Sequence, residues 1–354
     1  MFHKALWMRN QKLASPAVWA VYLSLFFLLP FTMFGDAQSL HSQLEKFPQD
    51  EAYLSYSFQG MTTGLFLSIV LIGFAALLIG LERSTHSTDL TFSLPFKRKD
   101  IYLSKWMFGV VHITTALLVN LLLCMLVVRF TFLSEIGVDP SFLMKFMILI
   151  IPYAIAIFTF CMFIGTISGS IVSQFILSSI FLFFPIGFFS LLGTFLMYHG
   201  IGVDMVHDIN SSLNSFGDFM IIATLPAPIF EFSYYTDAMQ LNSVANDYTR
   251  MPSYLVLLSP LIYLAVTFPL GIWLFNRTKN ENNGRLLVFE KGKGFFSVGV
   301  IVCFALAFGM IGGGLFGTYD TPSLIGYYIS AAIGGVLSYA VLRKLMNMRF
   351  KLSR

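Results

Sequence analysis

Few residues in this sequence are of types that could do chemistry, and their spacing decides what that chemistry is. The G-x-x-x-x-G-K-[ST] loop that holds nucleotide phosphates occurs nowhere in the 354 residues, and Lys291–Gly294 lacks both its spacing and its hydroxyl residue. Four metal-capable side chains lie near one another but match no defined metal site; they are His199, Asp204, His207 and Asp208. We therefore expect that this chain neither hydrolyses ATP nor binds a metal or cofactor, and that residues 199–208 form a solvated acidic loop.

Other catalytic patterns are also missing from the sequence. No Ser-His-Asp order, no pair of carboxylates inside an apolar run and no nucleic-acid-binding motif is present. The cysteines Cys124, Cys161 and Cys303 each lie inside an apolar block without a C-x-x-C partner, so we interpret them as inert small hydrophobic residues. We accordingly predict a non-enzymatic chain that has no nucleic-acid partner.

The most informative polar stretch runs from Glu82 to Lys105. In its centre Ser93 and Pro95 form a plausible helix start, so that 97–106 can make a short helix with a basic face and an apolar face. Such an element would lie at the membrane interface and face a protein that docks from the cytoplasm. Basic inner loops also occur in membrane proteins merely because they enforce topology, which is the simpler alternative.

Polar residues within the apolar runs are scarce. His112 and Asn120 share one helix face at a spacing of eight, where they could either contact a substrate or make a hydrogen bond between helices. No Asp, Glu, Lys or Arg lies near the centre of an apolar run, although a proton-coupled or ion-coupled transporter typically carries one there.

The elements that must position these residues are membrane-spanning helices. Of all residues 56% are hydrophobic and only 11% are charged, and the mean hydropathy is +0.76, whereas a soluble domain has roughly 25% charged residues. The apolar residues come in blocks of about 20, the length that crosses the hydrocarbon core as a helix. The sequence predicts an all-α, polytopic bundle of eight spans, at 17–34, 60–81, 107–132, 144–166, 171–197, 254–275, 296–317 and 324–342.

The distribution of positive charge tests this count. With both termini in the cytoplasm, only Lys46, Arg129, Lys145 and Arg250 of the 22 basic residues fall on the outer side. Cytoplasmic loops carry the excess of Lys and Arg, so a missed or invented span would destroy this separation. The basic segment before the first span resembles the start of a signal peptide, but no convincing cleavage site follows, and we expect an uncleaved anchor.

Two longer segments face outward in this topology, 35–59 and 198–253. Within the second, 221–232 is semi-apolar and could lie on the membrane surface, pack over the spans, or form an ordinary loop with a short helix. The inner segments are too short to fold as an enzyme domain.

The stretch around residues 82–105 resembles the motif of ABC-2 type permeases, in which a glutamate ends the second span, a Ser-Leu-Pro turn and basic residues follow, and a lysine opens the third span. The inner loop 276–285 is similar to that of the acetoin-operon-like permeases of Gram-positive bacteria. The matching positions, with the neighbouring lysine, are Glu82, Ser93, Leu94, Pro95, Lys97, Arg98 and Lys105 in the first segment and Arg277 and Glu281 in the second.

The resemblance implies a bacterial plasma-membrane permease subunit whose 82–105 loop is a coupling element for an ATPase. ATP and Mg²⁺ would be bound by that separate subunit, and a second permease chain, identical or related, would complete the path, in the export direction. Residues 1–275 would form the permease core, and 276–354 an inner loop with two additional helices. The alternatives are an ion-gradient-driven secondary transporter and a membrane sensor component or intramembrane enzyme.

Overall fold

The computed structural model describes residues 4–46, 54–85, 91, 93, 95–200, 222–238, 246–278, 293–317 and 323–347. Within these ranges it contains eight helices long and apolar enough to cross a membrane. They are α1 Lys4–Lys46, α2 Gly60–Ser84, α3 Arg98–Phe130, α4 Ser141–Ile167, α5 Ile171–Tyr198, α6 Leu258–Arg277, α7 Lys293–Leu315 and α8 Leu324–Asn347. The predicted all-α bundle of eight spans is confirmed.

Helical geometry satisfies the backbone of each span internally, which hydrocarbon requires because it offers no hydrogen-bond partners. In α1, Pro30 cannot donate to the helical ladder, and the helix widens there into a π-turn at Phe27–Phe31. A second π-turn occupies Ala76–Gly80 in α2. Large apolar side chains such as Trp19, Ile325 and Val336 are mostly exposed on the outside of these helices, as lipid-facing residues are.

Two span boundaries differ from the prediction. The first span was placed at 17–34, but α1 continues to Lys46 and, at a rise of 1.5 Å per residue, is about 64 Å long, twice the hydrocarbon thickness. The separate short helix predicted at 97–106 was wrong, because α3 begins at Arg98 and runs unbroken for 33 residues. Since the polar residues at both places are compatible with helix, hydropathy alone ended the first predicted helix too early and began the third too late.

The loops predicted on the outer side contain a three-stranded antiparallel sheet that the sequence did not reveal. Its strands are β1 Leu54–Gln59, β2 Ser233–Ala238 and β3 Asn246–Arg250, in the order β1-β2-β3. The register pairs Tyr56 with Thr236 and Tyr235 with Tyr248. Its inner face joins an aromatic core in which the rings of Tyr234 and Phe142 stack at 4.2 Å.

Specific contacts fix this sheet to the helices. The backbone N–H of Asp139, just before α4, donates to the Tyr234 hydroxyl at 3.1 Å. The Asp139 carboxylate accepts bonds from the hydroxyl and backbone N–H of Ser141, and these bonds lower the pKa of Asp139. At the start of α2, the Gly60 N–H donates to the Phe232 carbonyl at 2.8 Å, and a Cβ at Gly60 would overlap the Ile229 carbonyl. A one-turn helix, Ala227–Phe230, is therefore packed over α2, which was one of the alternatives for 221–232.

The chain divides into two compact units. The first contains Met1–Ile79, Phe92–Gly165 and Leu225–Arg277, and the second contains Gly80–Thr91, Thr166–Thr224 and Thr278–Arg354. In the second unit α7 and α8 form a close pair, because Gly312 lies against Ser330 and Gly334 against Phe308. This division is made by packing alone, so the proposed functional boundary at residue 276 stays a prediction.

Candidate functional site

The segment that leads into α3 presents two exposed lysines in the first unit. Ser93, Pro95, Lys97 and Lys99 are exposed, and Lys97 has an extended backbone conformation immediately before the helix. Leu94 lies outside the described residues. Lys97 and Lys99 thus face solvent at the N-terminal end of α3 and Arg98 between them is half-buried, whereas Ile101 and Tyr102 are buried within the unit.

Arg98 joins this segment to the end of α6. Its Nη1 donates to the carbonyl oxygen of Asn276 at 3.2 Å. The last carbonyls of a helix have no partner within the helix and carry partial negative charge, so a guanidinium is a favourable cap there. One turn further along α3, Tyr102 packs on Gly271 and lies 5.4 Å, centroid to centroid, from Phe275.

The bond between Arg98 and Asn276 joins the two segments whose sequences resemble permease motifs, 82–105 and 276–285. Arg277 follows Asn276 at the end of α6; it is exposed, and its guanidinium lies 4.2 Å above the Trp273 ring. Glu281 lies outside the described residues. Lys97, Arg98, Lys99 and Arg277 therefore belong to one basic area of the first unit, which we call the basic surface.

Glu82 and Lys105 lie in the interior. Glu82 is 3% exposed and Lys105 is 1% exposed, and the Lys105 Nζ donates to the Leu78 carbonyl of α2 at 2.5 Å. Lys105 is therefore buried in the first unit and is not part of the basic surface, and Glu82 is buried in the second unit. Any part they play in coupling must act through the packing of the helices, and that assignment stays a prediction.

Asn120 is buried in the interior of the first unit, whereas His112 is half-buried. The Asn120 Nδ2 donates to the Ala116 carbonyl of its own helix at 2.8 Å, so this bond is not the predicted link between helices. The His112 ring packs edge-on against Phe108 at 4.5 Å and stacks on Trp7 at 6.0 Å. It also borders a cavity of about 230 Å³ whose other lining residues are Gln11, Ser15, Val18, Trp19 and Tyr22. The prediction that these residues contact a substrate stays open.

Of the four metal-capable residues of the second unit, the structure describes His199. The His199 ring nitrogens lie 2.7 Å from the Phe195 carbonyl and 2.7 Å from the Tyr328 hydroxyl, so both are engaged in hydrogen bonds. Asp204, His207 and Asp208 lie outside the described residues. Across the part of the chain that the structure describes, no group of three His, Cys, Asp or Glu residues is placed to hold a metal ion.

Sequence reasoning missed the partners of the basic residues. The Arg98 bond joins positions 178 residues apart, and its acceptor is a backbone carbonyl, which carries no signal of residue type. Arg83 was counted only among the topology-setting cations, yet it is 2% exposed and bonded to backbone carbonyls. The only sequence signal for its burial is its position two residues after the end of the apolar run 60–81.

Comparison with known proteins gives one informative similarity. The chain is 26% identical over 266 residues to the probable ABC transporter permease YtrC of Bacillus subtilis (strain 168), an alignment that covers 72% of this chain and 70% of the relative. No family model matches the chain, and no solved structure matches it at a significant level. Together with the eight apolar helices, the similarity supports a relationship to ABC transporter permeases and makes this chain a multi-pass protein of the bacterial plasma membrane.

Proposed function

We propose that this chain is the permease subunit of an ABC-2 type exporter, which forms the translocation pathway while a separate subunit binds Mg²⁺ and hydrolyses ATP. The observation that carries the proposal is the similarity to a probable ABC transporter permease over 72% of the chain. The sequence supports it in a second way, since it contains eight apolar spans and no phosphate-binding loop. A transporter of this class needs two permease chains, so we propose that this chain pairs with itself or with a relative.

The basic surface is the place where we propose that the ATPase subunit docks. Lys97, Lys99 and Arg277 are exposed cations, and residues 95–97, which we call the docking segment, lead directly into the unbroken helix α3. A displacement of this segment would therefore move α3 as a rigid rod, and through Arg98 it would also move the end of α6. An acidic cleft on the ATPase would complement this area electrostatically.

The function is tested by co-expressing the chain with a candidate ABC ATPase subunit and reconstituting the two together. We expect the two subunits to co-purify, and ATP hydrolysis in proteoliposomes to drive transport that vanishes when the catalytic glutamate of the ATPase is replaced. Transport by the isolated chain without any ATPase subunit would overturn the proposal. Transport that is abolished by an uncoupler but survives ATP depletion would instead establish an ion-gradient-driven carrier.

The docking assignment has its own test in Pro95→Gly and Arg98→Glu. Both variants should insert normally but lower ATPase stimulation and transport together, because one loosens the docking segment and the other reverses a charge at its edge and removes the bond to the Asn276 carbonyl. Lys46→Glu is a matched control, since Lys46 is an exposed cation at the far end of α1. If all three variants stimulate ATP hydrolysis as much as the unmodified chain does, the basic surface is not the docking site. The proposed permease function would be unaffected by that result.

A further inference from the structure

A buried arginine in the second unit holds two chain segments together. Arg83, in the last turn of α2, is 2% exposed. Its Nη1 donates to the Thr166 carbonyl at 3.3 Å and also to the Ser168 carbonyl. Thr166 lies in the last turn of α4, and Ser168 begins the short turn that leads to α5. A single guanidinium nitrogen therefore binds the end of one helix and the turn that follows it.

Neighbouring residues reinforce the same junction. The Ser84 hydroxyl accepts a bond from the backbone N–H of Ile171, the first residue of α5, at 2.8 Å. A Cβ at Gly80 would lie 2.7 Å from the Ile171 Cα, so the backbones of α2 and α5 approach as closely as glycine permits. Arg83 and Ser84 thus act on both sides of the 168–170 turn, Arg83 at the end of α4 and Ser84 at the start of α5.

The turn is itself buried and internally hydrogen-bonded. Ser170 and Ser173 form a reciprocal capping box at the start of α5, in which the Ser170 hydroxyl accepts from the Ser173 N–H at 3.1 Å and the Ser173 hydroxyl accepts from the Ser170 N–H at 3.0 Å. The side chains of Ser168, Ser170 and Ser173 are fully buried. Burying polar groups destabilises the fold unless their hydrogen bonds are kept. We therefore expect the turn to move together with the residues that are bonded to it.

We propose that Arg83 is a positioning residue that clamps the end of α2 to the turn between α4 and α5, so that these three segments move as one body during transport. The guanidinium suits this task because its charge is favourable at a helix C-terminus and its planar donors are fixed relative to one another. Residues 82–84 are followed in the chain by the docking segment that ends at Lys97. In the second part of the inference, which depends on the proposed permease function, the clamp passes motion of that segment on to α5.

The clamp can be tested on the chain alone. In a variant whose three native cysteines are replaced, Ser168→Cys introduces a thiol at a fully buried position, and its rate of labelling by N-ethylmaleimide in membrane vesicles reports opening of the turn. We expect slow labelling with Arg83 in place and a rate at least tenfold higher in Arg83→Gln. Arg83→Lys should fall between the two, because one ammonium retains the charge without the fork of donors. Arg129→Gln is the matched control, since Arg129 is an exposed arginine at the end of α3.

The clamp would be overturned if the labelling rate in Arg83→Gln lay within twofold of the rate in the Ser168→Cys protein that retains Arg83. If Arg83→Gln does not accumulate in the membrane, Arg83→Lys is used alone. A labelling rate at least threefold above that of the protein with Arg83 supports the clamp, and a smaller change overturns it.

The proposed role in coupling is measured in the complex with the ATPase. There Arg83→Gln should keep co-purification and ATP hydrolysis but lower the transport per ATP hydrolysed at least fivefold, with partial recovery in Arg83→Lys. An unchanged ratio would overturn the transmission role, whereas loss of co-purification in the unmodified chain would count against the permease function and not against the clamp.

Discussion

Charge reversal at the basic surface separates two roles that its residues could have. Lys99→Glu reverses an exposed charge beside the docking segment without touching the Asn276 carbonyl, whereas Arg98→Lys retains the charge but shortens the reach to that carbonyl. If the surface binds an acidic cleft, Lys99→Glu must weaken the complex and Arg98→Lys must leave it nearly unchanged. If instead the Arg98 bond between α3 and α6 is required, Arg98→Lys must weaken the complex and Lys99→Glu must leave it nearly unchanged.

The expected magnitude follows from the exposure of Lys99. Reversing a unit charge about 7 Å from one acidic partner changes the interaction by about 1.6 kcal/mol at an effective dielectric constant of roughly 60. Screening at 0.15 M salt, where the Debye length is about 8 Å, reduces this to about 0.7 kcal/mol, or a threefold weaker Kd. At about 0.05 M salt the same change becomes roughly fivefold, since the Debye length grows to about 14 Å. Docking that excludes water would lower the dielectric constant to roughly 20 and raise the effect at 0.15 M salt to about 2 kcal/mol, or thirtyfold.

The assay measures the Kd of the ATPase subunit for the chain in nanodiscs at both salt concentrations. Lys46→Glu again serves as the control for a change of net charge far from the surface. A Kd for Lys99→Glu within 1.5-fold of the unmodified chain at low salt would refute the electrostatic reasoning. A large loss in Arg98→Lys together with no loss in Lys99→Glu would assign the coupling to the Arg98 bond between α3 and α6.

Three further predictions concern the fold. Gly60→Ala should destabilise the protein by roughly 1 to 3 kcal/mol because its Cβ meets backbone carbonyls, whereas Gly73→Ala, with open space around its Cβ position, should be neutral or stabilising when unfolding is measured in detergent. Gly312→Ala should loosen the α7–α8 pair and lower the melting temperature, while Gly299→Ala should leave it unchanged. The pKa of Asp139 is lowered in the folded chain, so its carboxylate stabilises the fold above the unfolded pKa of about 3.9, and that stability is lost as the pH falls through the lower folded pKa. Asp139→Asn should therefore lower the melting temperature by a constant amount above about pH 5, and the difference should shrink between about pH 4 and pH 2.

The spans could be predicted from sequence because each depends on a local quantity, the run of uncharged apolar residues that hydrocarbon requires. The extension of α1 from 34 to Lys46 could not, since outside the membrane a polar helix and a polar loop have similar hydropathy. The sheet was missed for another reason. Its strands are five or six residues long, and β1 pairs with a segment about 180 residues away, so no local pattern distinguishes it from loop.

The basic residues show why the topology and coupling interpretations could not be separated by counting charges. Arg83 and Arg98 both donate to carbonyls in the last turn of a helix, Thr166 in α4 and Asn276 in α6, where positive charge is favourable whatever partner the protein has. The positive-inside pattern and the capping of helix ends therefore call for cations at the same positions. Lys97 and Lys99 are different, because both are exposed in the segment before and at the start of α3. A docking role is thus tested most cleanly on these two lysines, since replacing either arginine would also disturb a helix end and weaken transport even if no partner ever touched it.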